Sequence, residues 1–564
     1  MSRRQGTLLD LDAMSSDKFD IDGLQLYNPI YKELFGQDVD ATTTLEHRYE
    51  VVDAEHVRDL HSSAIKLRKI HFKFSPLLDP FAYMIGKYSA EPSTVLPSPS
   101  CNNDQVLPKI AHPCNAAYVD GFFNYLSNLL LEKHGFLHGI SYYGSYLGIQ
   151  RNFKVDVSDD MDHLRSSRFF IEHVGKLFDV PGFQREEDSL NLIGGSRRNK
   201  RKIDVIDDAL LDNVETLDGE GDLASEEEEE EEALCSIYTK EAEHNVSERS
   251  YGSSDSELNY SSSDEEDDQE QDEEEEEEEE EPEEPEEPEE SEEPEEPEES
   301  EEPEESEDDD QEQDEEEDEE TLGTIRNVPC QMICMEKCDG TLDELFESGN
   351  MDANHGAAAL MQVILTLLAY QKAFGFTHND LHTNNIMYVN TDREYLTYRF
   401  EGRVYKVPTY GRIFKIIDFG RGIYTFQQNV FCSDSFFAKG DAATQYNFGA
   451  CLNPNKPVLE PNPSFDLCRL GVSIFDFVMD VDLDDLDAFQ KTIRRWCQDD
   501  RKHNVLYKRS GDDRYPNFKL YKMIARTVHR HTPQAQLNYA IFKQYWVDED
   551  EEVLMDLDAL PSYQ

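Results

Sequence analysis

An acidic stretch near the middle of the chain limits what this sequence can fold into. Residues 221–320 hold 57 Asp or Glu but only two Lys or Arg, so a net of −55 out of the formal charge of −71 is concentrated there. Such a stretch buries too little apolar surface to offset the entropy of ordering, and its Pro-Glu-Glu repeats exclude regular helix. We therefore predict that residues 179–327 are mainly disordered and that the folded part comes from the two flanks.

Two short polar motifs after the acidic stretch indicate phosphoryl-transfer chemistry. Asp380 precedes Asn385 by five residues, and Asp418 begins an Asp-Phe-Gly sequence directly after the apolar residues 416–417. Gly420, which ends that sequence, permits the backbone turn that aims the Asp418 carboxylate into a cleft. Phosphoryl transfer needs a carboxylate beside the acceptor hydroxyl and oxygen ligands for a divalent metal. A simple turn would also suit Asn and Asp, but it leaves the spacing of 33 residues between Asn385 and Asp418 unexplained.

These residues resemble the catalytic and metal-binding loops of the eukaryotic-type protein kinase superfamily. Residues 333–345, 357–374 and 464–472 extend the resemblance in the expected order, as a strand with hinge, a long apolar helix and a buried helix. The whole chain, including residues 72–80 and 440–446, is similar to the serine/threonine kinases of iridoviruses and related large DNA viruses. The resemblance implies an α+β, bilobal fold with a small β-rich lobe and a larger, mainly helical lobe.

The resemblance and the composition together divide the chain into five parts. We expect an N-terminal extension, the first part of the small lobe, the acidic insertion, the last small-lobe strand with the hinge, and the large catalytic lobe, at residues 1–48, 49–178, 179–327, 328–338 and 339–564.

The resemblance also assigns roles to single residues of the large lobe. Asp380 would orient the acceptor hydroxyl or take its proton, while Asn385 and Asp418 would hold Mg²⁺. His382 stands where serine/threonine kinases usually carry a lysine that steadies the transferred phosphate. The Asp of the 464–472 helix would brace the loop that carries Asp380.

ATP would bind between the lobes. Met335, Glu336 and Cys338 fall on the hinge positions that line the adenine pocket in the family.

The small lobe leaves two assignments open. Lys73 lies in a period-2 strand and Lys66 in an Ala-Ile-Lys sequence, and we favour Lys73 as the partner of the ATP phosphates. The helix expected over residues 115–132 offers Asp120 and Glu132 as the acidic partner of that lysine, and we choose Asp120. No Gly-rich phosphate loop precedes either lysine, so residues 49–58 would have to hold phosphates without glycine.

Several departures from the family pattern keep other functions open. Asn379 replaces the arginine that usually receives an activating phosphate. The Asp-Leu-His sequence at 380–382 also resembles small-molecule kinases of the aminoglycoside and choline type. The missing glycine loop suits a pseudokinase scaffold that acts through its acidic arm. We favour a serine/threonine protein kinase that uses ATP and Mg²⁺.

Composition also suggests partners and location. The acidic arm would attract basic proteins or the basic run at 197–202, and a sequence pI of 4.4 argues against direct nucleic-acid binding. Ten cysteines without paired spacing favour a reducing, intracellular compartment, which for a viral protein is the host cytoplasm or the virion, with nuclear import through residues 197–202 as an option. We expect no membrane span and no metal site at Cys330, Cys334 and Cys338. The oligomeric state and the acceptor are left open.

Overall fold

The computed structural model describes the flanks of the acidic stretch. The described residues are 3–6, 19–36, 38–88, 95–99, 106–158, 160–181, 183, 321–479, 485–508, 510–548 and 551–564. The expectation of disorder over 179–327 and the basic run at 197–202 therefore lie almost wholly outside them.

Nineteen strands form six sheets within the described residues. They are β1 Arg3–Gln5, β2 Ile21–Gln25, β3 Thr43–Leu45, β4 Tyr49–Val51, β5 His56–Asp59, β6 Ile65–Leu67, β7 Ile70–Pro76, β8 Tyr142–Asp156, β9 Phe178–Asp179, β10 Leu322–Glu336, β11 Gly340–Thr341, β12 Ile386–Asn390, β13 Tyr395–Phe400, β14 Arg403–Pro408, β15 Arg412–Ile416, β16 Ile423–Phe426, β17 Asn429–Cys432, β18 Trp546–Val547 and β19 Met555–Asp556.

The described α-helices are α1 Ile30–Phe35, α2 Pro80–Met84, α3 Pro108–Ala111, α4 Ala116–His134, α5 Met161–Ser166, α6 Arg168–His173, α7 Leu342–Glu347, α8 Ala353–Phe374, α9 Phe465–Val478, α10 Ala488–Trp496, α11 Lys519–Thr527, α12 Pro533–Gln536 and α13 Ala540–Lys543. Most of the sheet that carries Lys73 precedes the acidic stretch, and most of the long helices follow it.

The largest sheet has the order β2, β8, β10, β7, with β9 paired to β10, and all its pairs are antiparallel. Strand β7 alternates as its sequence predicts. Ile70, Phe72 and Phe74 pack in one apolar cluster on one face, so Lys73 lies on the other face, where α4 packs against the sheet.

Helices α4 and α8 build the main core behind that face. Asn115 caps α4 by accepting a hydrogen bond from the backbone N–H of Ala117 at 3.1 Å, and Gly135 ends the helix in the left-handed conformation. Phe123 of α4 lies with its ring centroid 4.1 Å from Phe376 and 4.6 Å from Phe419. This aromatic packing joins α4 to both loops that carry the candidate site.

We expected no membrane span from the sequence, but helix α8 is long and apolar enough to cross a membrane. However, 89% of its most apolar window is buried inside the folded chain. Gln362 within it is fully buried and accepts a hydrogen bond from the N–H of Phe414 on β15 at 3.0 Å. The helix therefore has the environment of a core helix.

Two local expectations were wrong. The last small-lobe strand was expected to begin at residue 328, but β10 begins at Leu322, because it pairs along most of its length with the equally long β8. Residues 1–48 were expected to be an extension, yet within them β2 joins the main sheet and Ile21 and Tyr31 are buried in the core.

Candidate active site

Lys73 lies between two carboxylates. Its Nζ is 2.8 Å from Oδ2 of Asp120 on α4 and 2.8 Å from Oδ1 of Asp418. The Asp418 side chain is 46% exposed, whereas that of Asp120 is 2% exposed. The cluster is thus sealed on the helix side and open on the side of Asp418.

Asp120 also links α4 to the Asp418 loop. Its Oδ1 accepts a hydrogen bond from the backbone N–H of Phe419 at 2.9 Å and one from Nδ2 of Asn124 at 3.0 Å. Glu132, the other candidate on this helix, lies near its far end, where burial raises its pKa and Arg48 is its neighbour. The geometry therefore pairs Lys73 with the acid that the sequence favoured.

The pKa values of the three groups follow from this arrangement. Burial acts to raise the pKa of Asp418, but the ammonium of Lys73 outweighs it and lowers that pKa to about 2. Burial opposes the charged form of Lys73, yet the two carboxylates raise its pKa above the usual value. Burial raises the pKa of Asp120, with Lys73 acting against it. Lys73 and Asp418 are therefore ionised at neutral pH.

The backbone at Asp418 is strained. Its φ is 60°, in the left-handed region that residues with a Cβ rarely adopt. The sequence placed the turn at Gly420, but Gly420 is not among the positive-φ residues of the described chain. The carboxylate is aimed by the unusual conformation of Asp418 itself, which is the kind of strain that functional sites retain.

The loop that carries Asp380 is held from beneath by Asp466 of α9. Asp466 is fully buried and accepts hydrogen bonds from the backbone N–H groups of His378 at 2.9 Å and Asn379 at 2.8 Å. Asn379 itself has a φ of 64°. The bracing acid expected from the resemblance is therefore present, and it fixes a second strained backbone.

The carboxylate of Asp380 is surrounded by three side chains from other segments. The hydroxyl of Tyr521 on α11 donates to its Oδ1 at 2.8 Å. Nη1 of Arg421 is 3.5 Å from Oδ2, and Nε of Arg469 is 3.9 Å from Oδ1. Sequence reasoning assigned no role to these three residues. Tyr521 comes from a distant segment, whereas Arg421 directly follows the Asp-Phe-Gly sequence and Arg469 lies within the 464–472 helix, where the local pattern does not show that the side chain reaches Asp380.

Asn385 lies beside both loops. Its Nδ2 donates to the carbonyl of Asp380 at 2.9 Å and lies 3.0 Å from Nε2 of His382, and its carbonyl accepts from the N–H of Ile417 at 3.0 Å. The amide nitrogen is thus engaged, so the side-chain oxygen is the atom suited to a metal. Burial lowers the pKa of His382, so its imidazole is neutral near pH 7 and does not replace a lysine's charge.

No group of three or more His, Cys, Asp or Glu side chains within the described residues is arranged to hold a metal ion. Magnesium in phosphate-binding sites takes only one or two protein carboxylates, together with phosphate oxygens and water. Asn385 and Asp418 would supply such a pair of protein oxygens if Mg²⁺ arrived with a nucleotide. Cys330 and Cys334 face one core cluster and Cys338 another, as expected for structural thiols.

The hinge candidates lie at the end of β10. Met335 pairs with His71 and so lies on the same face of the sheet as Lys73. Met335 and Cys338 are buried. The Glu336 carboxylate accepts from the N–H of Ser141 and from Nζ of Lys415, both at 2.7 Å. Its side chain is therefore engaged within the protein and is not free to bind a nucleotide.

The segment at 49–58, the only candidate for a phosphate loop, has a different structure. Strands β4 and β5 form a hairpin whose turn is acidic, and Asp53 already accepts the N–H groups of Glu55 at 2.8 Å and His56 at 3.0 Å. Lys66 is bound to Asp59 at 2.8 Å on the neighbouring strand. The hairpin therefore does not offer these amides to phosphates, and Lys66 lies outside the cluster around Lys73.

Comparison with known proteins gives a weak and partial relationship. No protein-family model matches the chain. Over 94 residues it is 30% identical to a Frog virus 3 protein named "putative serine/threonine-protein kinase". The match covers 16% of this chain and 11% of the relative, so the chain spans a small part of that protein's length. It points to a kinase-like relationship and leaves the finer activity to be proposed.

Proposed function

We propose that this protein has a bilobal protein-kinase-like fold and transfers the γ-phosphate of ATP to serine or threonine hydroxyls of proteins. The observation that carries the proposal is the meeting of Lys73, Asp120 and Asp418 beside a loop that presents Asp380 and Asn385. These five side chains come from four separate segments, and phosphoryl transfer needs this combination of charges and metal ligands.

Each residue has a role in the proposed reaction. Asp380 accepts or orients the proton of the acceptor hydroxyl, and Lys73, held in place by Asp120, aligns the ATP phosphates. Asn385 and Asp418 would hold Mg²⁺, which neutralises the charge that develops on the phosphate oxygens. Asp418 changes partners in this scheme, because the ion pair with Lys73 gives way to the metal and the phosphates.

Arg421 and Arg469 supply positive charge near Asp380 that the neutral His382 does not. Both guanidinium groups lie within 4 Å of the carboxylate at 3.5 and 3.9 Å. A cation beside the acceptor position stabilises the transferred phosphoryl group in the transition state.

The test is a transfer assay with labelled ATP, Mg²⁺ and two acceptor sets, proteins and small alcohols such as choline and aminoglycosides. We expect label on protein serine or threonine. Label only on the small alcohols would replace the protein-kinase proposal with a small-molecule phosphotransferase.

A second candidate, a pseudokinase scaffold, is favoured by the acidic hairpin turn whose amides Asp53 already occupies. Titration with Mg-ATP while thermal unfolding is recorded separates the two, because a ligand that binds the folded state raises the melting temperature. A melting temperature that does not change with Mg-ATP, together with no transfer, would favour the scaffold.

A further inference from the structure

The segment that follows the Asp418 loop is attached to the start of α4. Asp434 of this segment is 8% exposed, and its Oδ1 accepts from the backbone N–H of Ala116 at 3.1 Å. Its Oδ2 accepts from Nζ of Lys109 at 2.7 Å, and its own N–H donates to the carbonyl of Cys114 at 2.7 Å. One residue thus makes three contacts across a separation of more than 300 positions in the sequence.

Asp434 completes the capping of α4. The first N–H groups of a helix have no partner within the helix. Asn115 accepts from Ala117, and Asp434 accepts from Ala116. A carboxylate at this end also interacts favourably with the helix dipole. Asp434 therefore stabilises the first turn of α4 at the position that the structure shows.

The first turn of α4 leads directly to Asp120. Tyr424 of the same segment donates its hydroxyl to the carbonyl of Val119 at 2.8 Å, and the N–H of Phe419 in the Asp418 loop donates to Asp120 at 2.9 Å. Any shift of the helix start would change the distance between Asp120 and Lys73. The position of Asp434 is thus coupled to the geometry of the Lys73 cluster.

The other end of the segment is anchored by neutral groups. The hydroxyl of Tyr446 donates to Oδ1 of Asn379 at 2.8 Å, and Nδ2 of Asn379 donates to the carbonyl of Arg421 at 2.9 Å. Asn379 is fully buried. A phosphate group needs a cationic partner at such a depth, and Asn379 does not provide one. Groups that are permanently part of the chain therefore hold both ends.

We propose that Asp434 is a positioning residue that keeps α4, and with it Asp120, aligned with Lys73, so that residues 421–460 need no phosphorylation for the site to assemble. This inference rests on the proposed phosphotransferase function. It concerns regulation of the same site and adds a residue that does not contact ATP or the acceptor.

The experiment compares Asp434→Asn with the matched control Glu460→Gln in the full-length protein. Both changes remove one negative charge from the same segment, but Glu460 is exposed. We expect Asp434→Asn to raise the KM for ATP about tenfold, as for the loss of the ion pair with Lys109 and of a negative charge at the helix start, with an unchanged KM for the acceptor. Asp434→Glu should restore part of the ATP affinity, and Glu460→Gln should behave as the wild type.

Phosphatase treatment of the wild-type protein provides the second arm. We expect the treated protein, verified by mass spectrometry, to keep its initial transfer rate. Wild-type KM for ATP in Asp434→Asn, or loss of activity after phosphatase treatment, would overturn the inference. If Asp434→Asn does not fold, Lys109→Met, which removes only the partner cation, should raise the KM for ATP about threefold, and an unchanged KM would overturn the inference. A wild-type protein that neither binds Mg-ATP nor transfers phosphate would instead refute the proposed function itself.

Discussion

Lys73 and Lys415 both pair with carboxylates, but the surroundings of the two lysines differ. Lys415 on β15 is 4% exposed, and its Nζ donates to Glu336 at 2.7 Å and to the carbonyl of Gly139 at 2.6 Å. Lys73 is 26% exposed and lies between two carboxylates, one of which is 46% exposed and has a strained backbone. The Lys415–Glu336 pair is shielded from solvent at the lysine, whereas one carboxylate partner of Lys73 faces solvent and can be replaced by a ligand.

This difference separates a structural ion pair from a candidate functional one. The buried ammonium of Lys415 donates to one carboxylate and one carbonyl, so a ligand that replaced these partners would have to break both bonds. The charges around Lys73 include a carboxylate that already faces solvent, so phosphates and a metal can take its place. We therefore expect changes around Lys73 to affect phosphate transfer and changes around Lys415 to affect stability.

The largest effect is expected from the two loop carboxylates. Asp418→Ala and Asp380→Ala should each lower transfer of labelled phosphate by about a thousandfold or more, since the metal ligand and the base act in the transition state. Both variants should remain folded at the assay temperature, because Asp418 is 46% and Asp380 26% exposed, so the loss of transfer would not be a loss of the fold.

Asp512→Ala is the matched control for these variants. The Asp512 carboxylate accepts from the hydroxyl of Ser510 at 2.9 Å at an exposed place outside the cluster, so its removal should leave transfer unchanged. Autophosphorylation that persists in Asp418→Ala would refute the assignment of the metal ligand.

The next largest effect is expected on ATP kinetics, where the two lysines should differ. Lys73→Met should lower kcat/KM for ATP about a hundredfold, because it removes the partner of the phosphates, and it should also lower the unfolding free energy, because Asp120, which is 2% exposed, loses its cation. Lys415→Met should lower the unfolding free energy by about 3 kcal/mol, because it leaves the partly buried Glu336 without its cation, with little change in kcat/KM for ATP. Urea unfolding and ATP kinetics on both variants measure this.

The distinction between the two lysines fails if Lys415→Met lowers kcat/KM for ATP as much as Lys73→Met does. The double variant Glu336→Gln with Lys415→Met sharpens it, since removing both charges should recover part of the lost stability. An equally large loss in the double variant would mean that the pair contributes through packing rather than through charge.

The sequence predicted the elements around the loops better than it predicted the small-lobe edges. Periodicity located α4, which has an apolar face, and the resemblance to protein kinases located α8 and α9. The alternation of Ile70 to Phe74 selected Lys73 over Lys66. Both depend on neighbours in sequence, which is the information that a single chain carries most directly.

Contacts between distant segments could not be read in this way. Tyr521 meets Asp380 across 141 positions, and Asp434 meets Ala116 across 318. The long strands β8 and β10 stabilise each other by pairing, which extends both beyond their local apolar patterns. The strain at Asp418 was also missed, because propensity assigned the turn to Gly420.

A smaller effect is expected on the pH dependence of the unfolding free energy, to which the cluster around Lys73 contributes. The pKa of Asp418 is lowered to about 2 from its usual 3.8. A lowered carboxyl pKa means that its contribution to stability is fully present above about pH 4 and is lost as the pH falls to about 2. The difference in urea-unfolding free energy between the wild type and Asp418→Asn should therefore shrink over that interval.

Asp120 acts in the opposite direction, because burial raises its pKa and its charged form is the less favourable one in the fold. The pH series should accordingly be repeated with Asp120→Asn. A wild-type minus Asp418→Asn difference that stays constant down to about pH 2 would show that the ion pair with Lys73 does not form in solution.

The smallest effect is expected at Tyr521, whose hydroxyl donates to Asp380 as an acceptor hydroxyl would. A group of the protein that occupies this position competes with the substrate. Tyr521→Phe should therefore lower the KM for the acceptor about threefold, which corresponds to the net strength of one hydrogen bond. Tyr507→Phe is the matched control, since its hydroxyl donates to Asp476 at 3.0 Å outside the cluster. A higher acceptor KM in Tyr521→Phe would show instead that Tyr521 orients Asp380 for catalysis, and the open side of the cleft would then include a residue that supports the base.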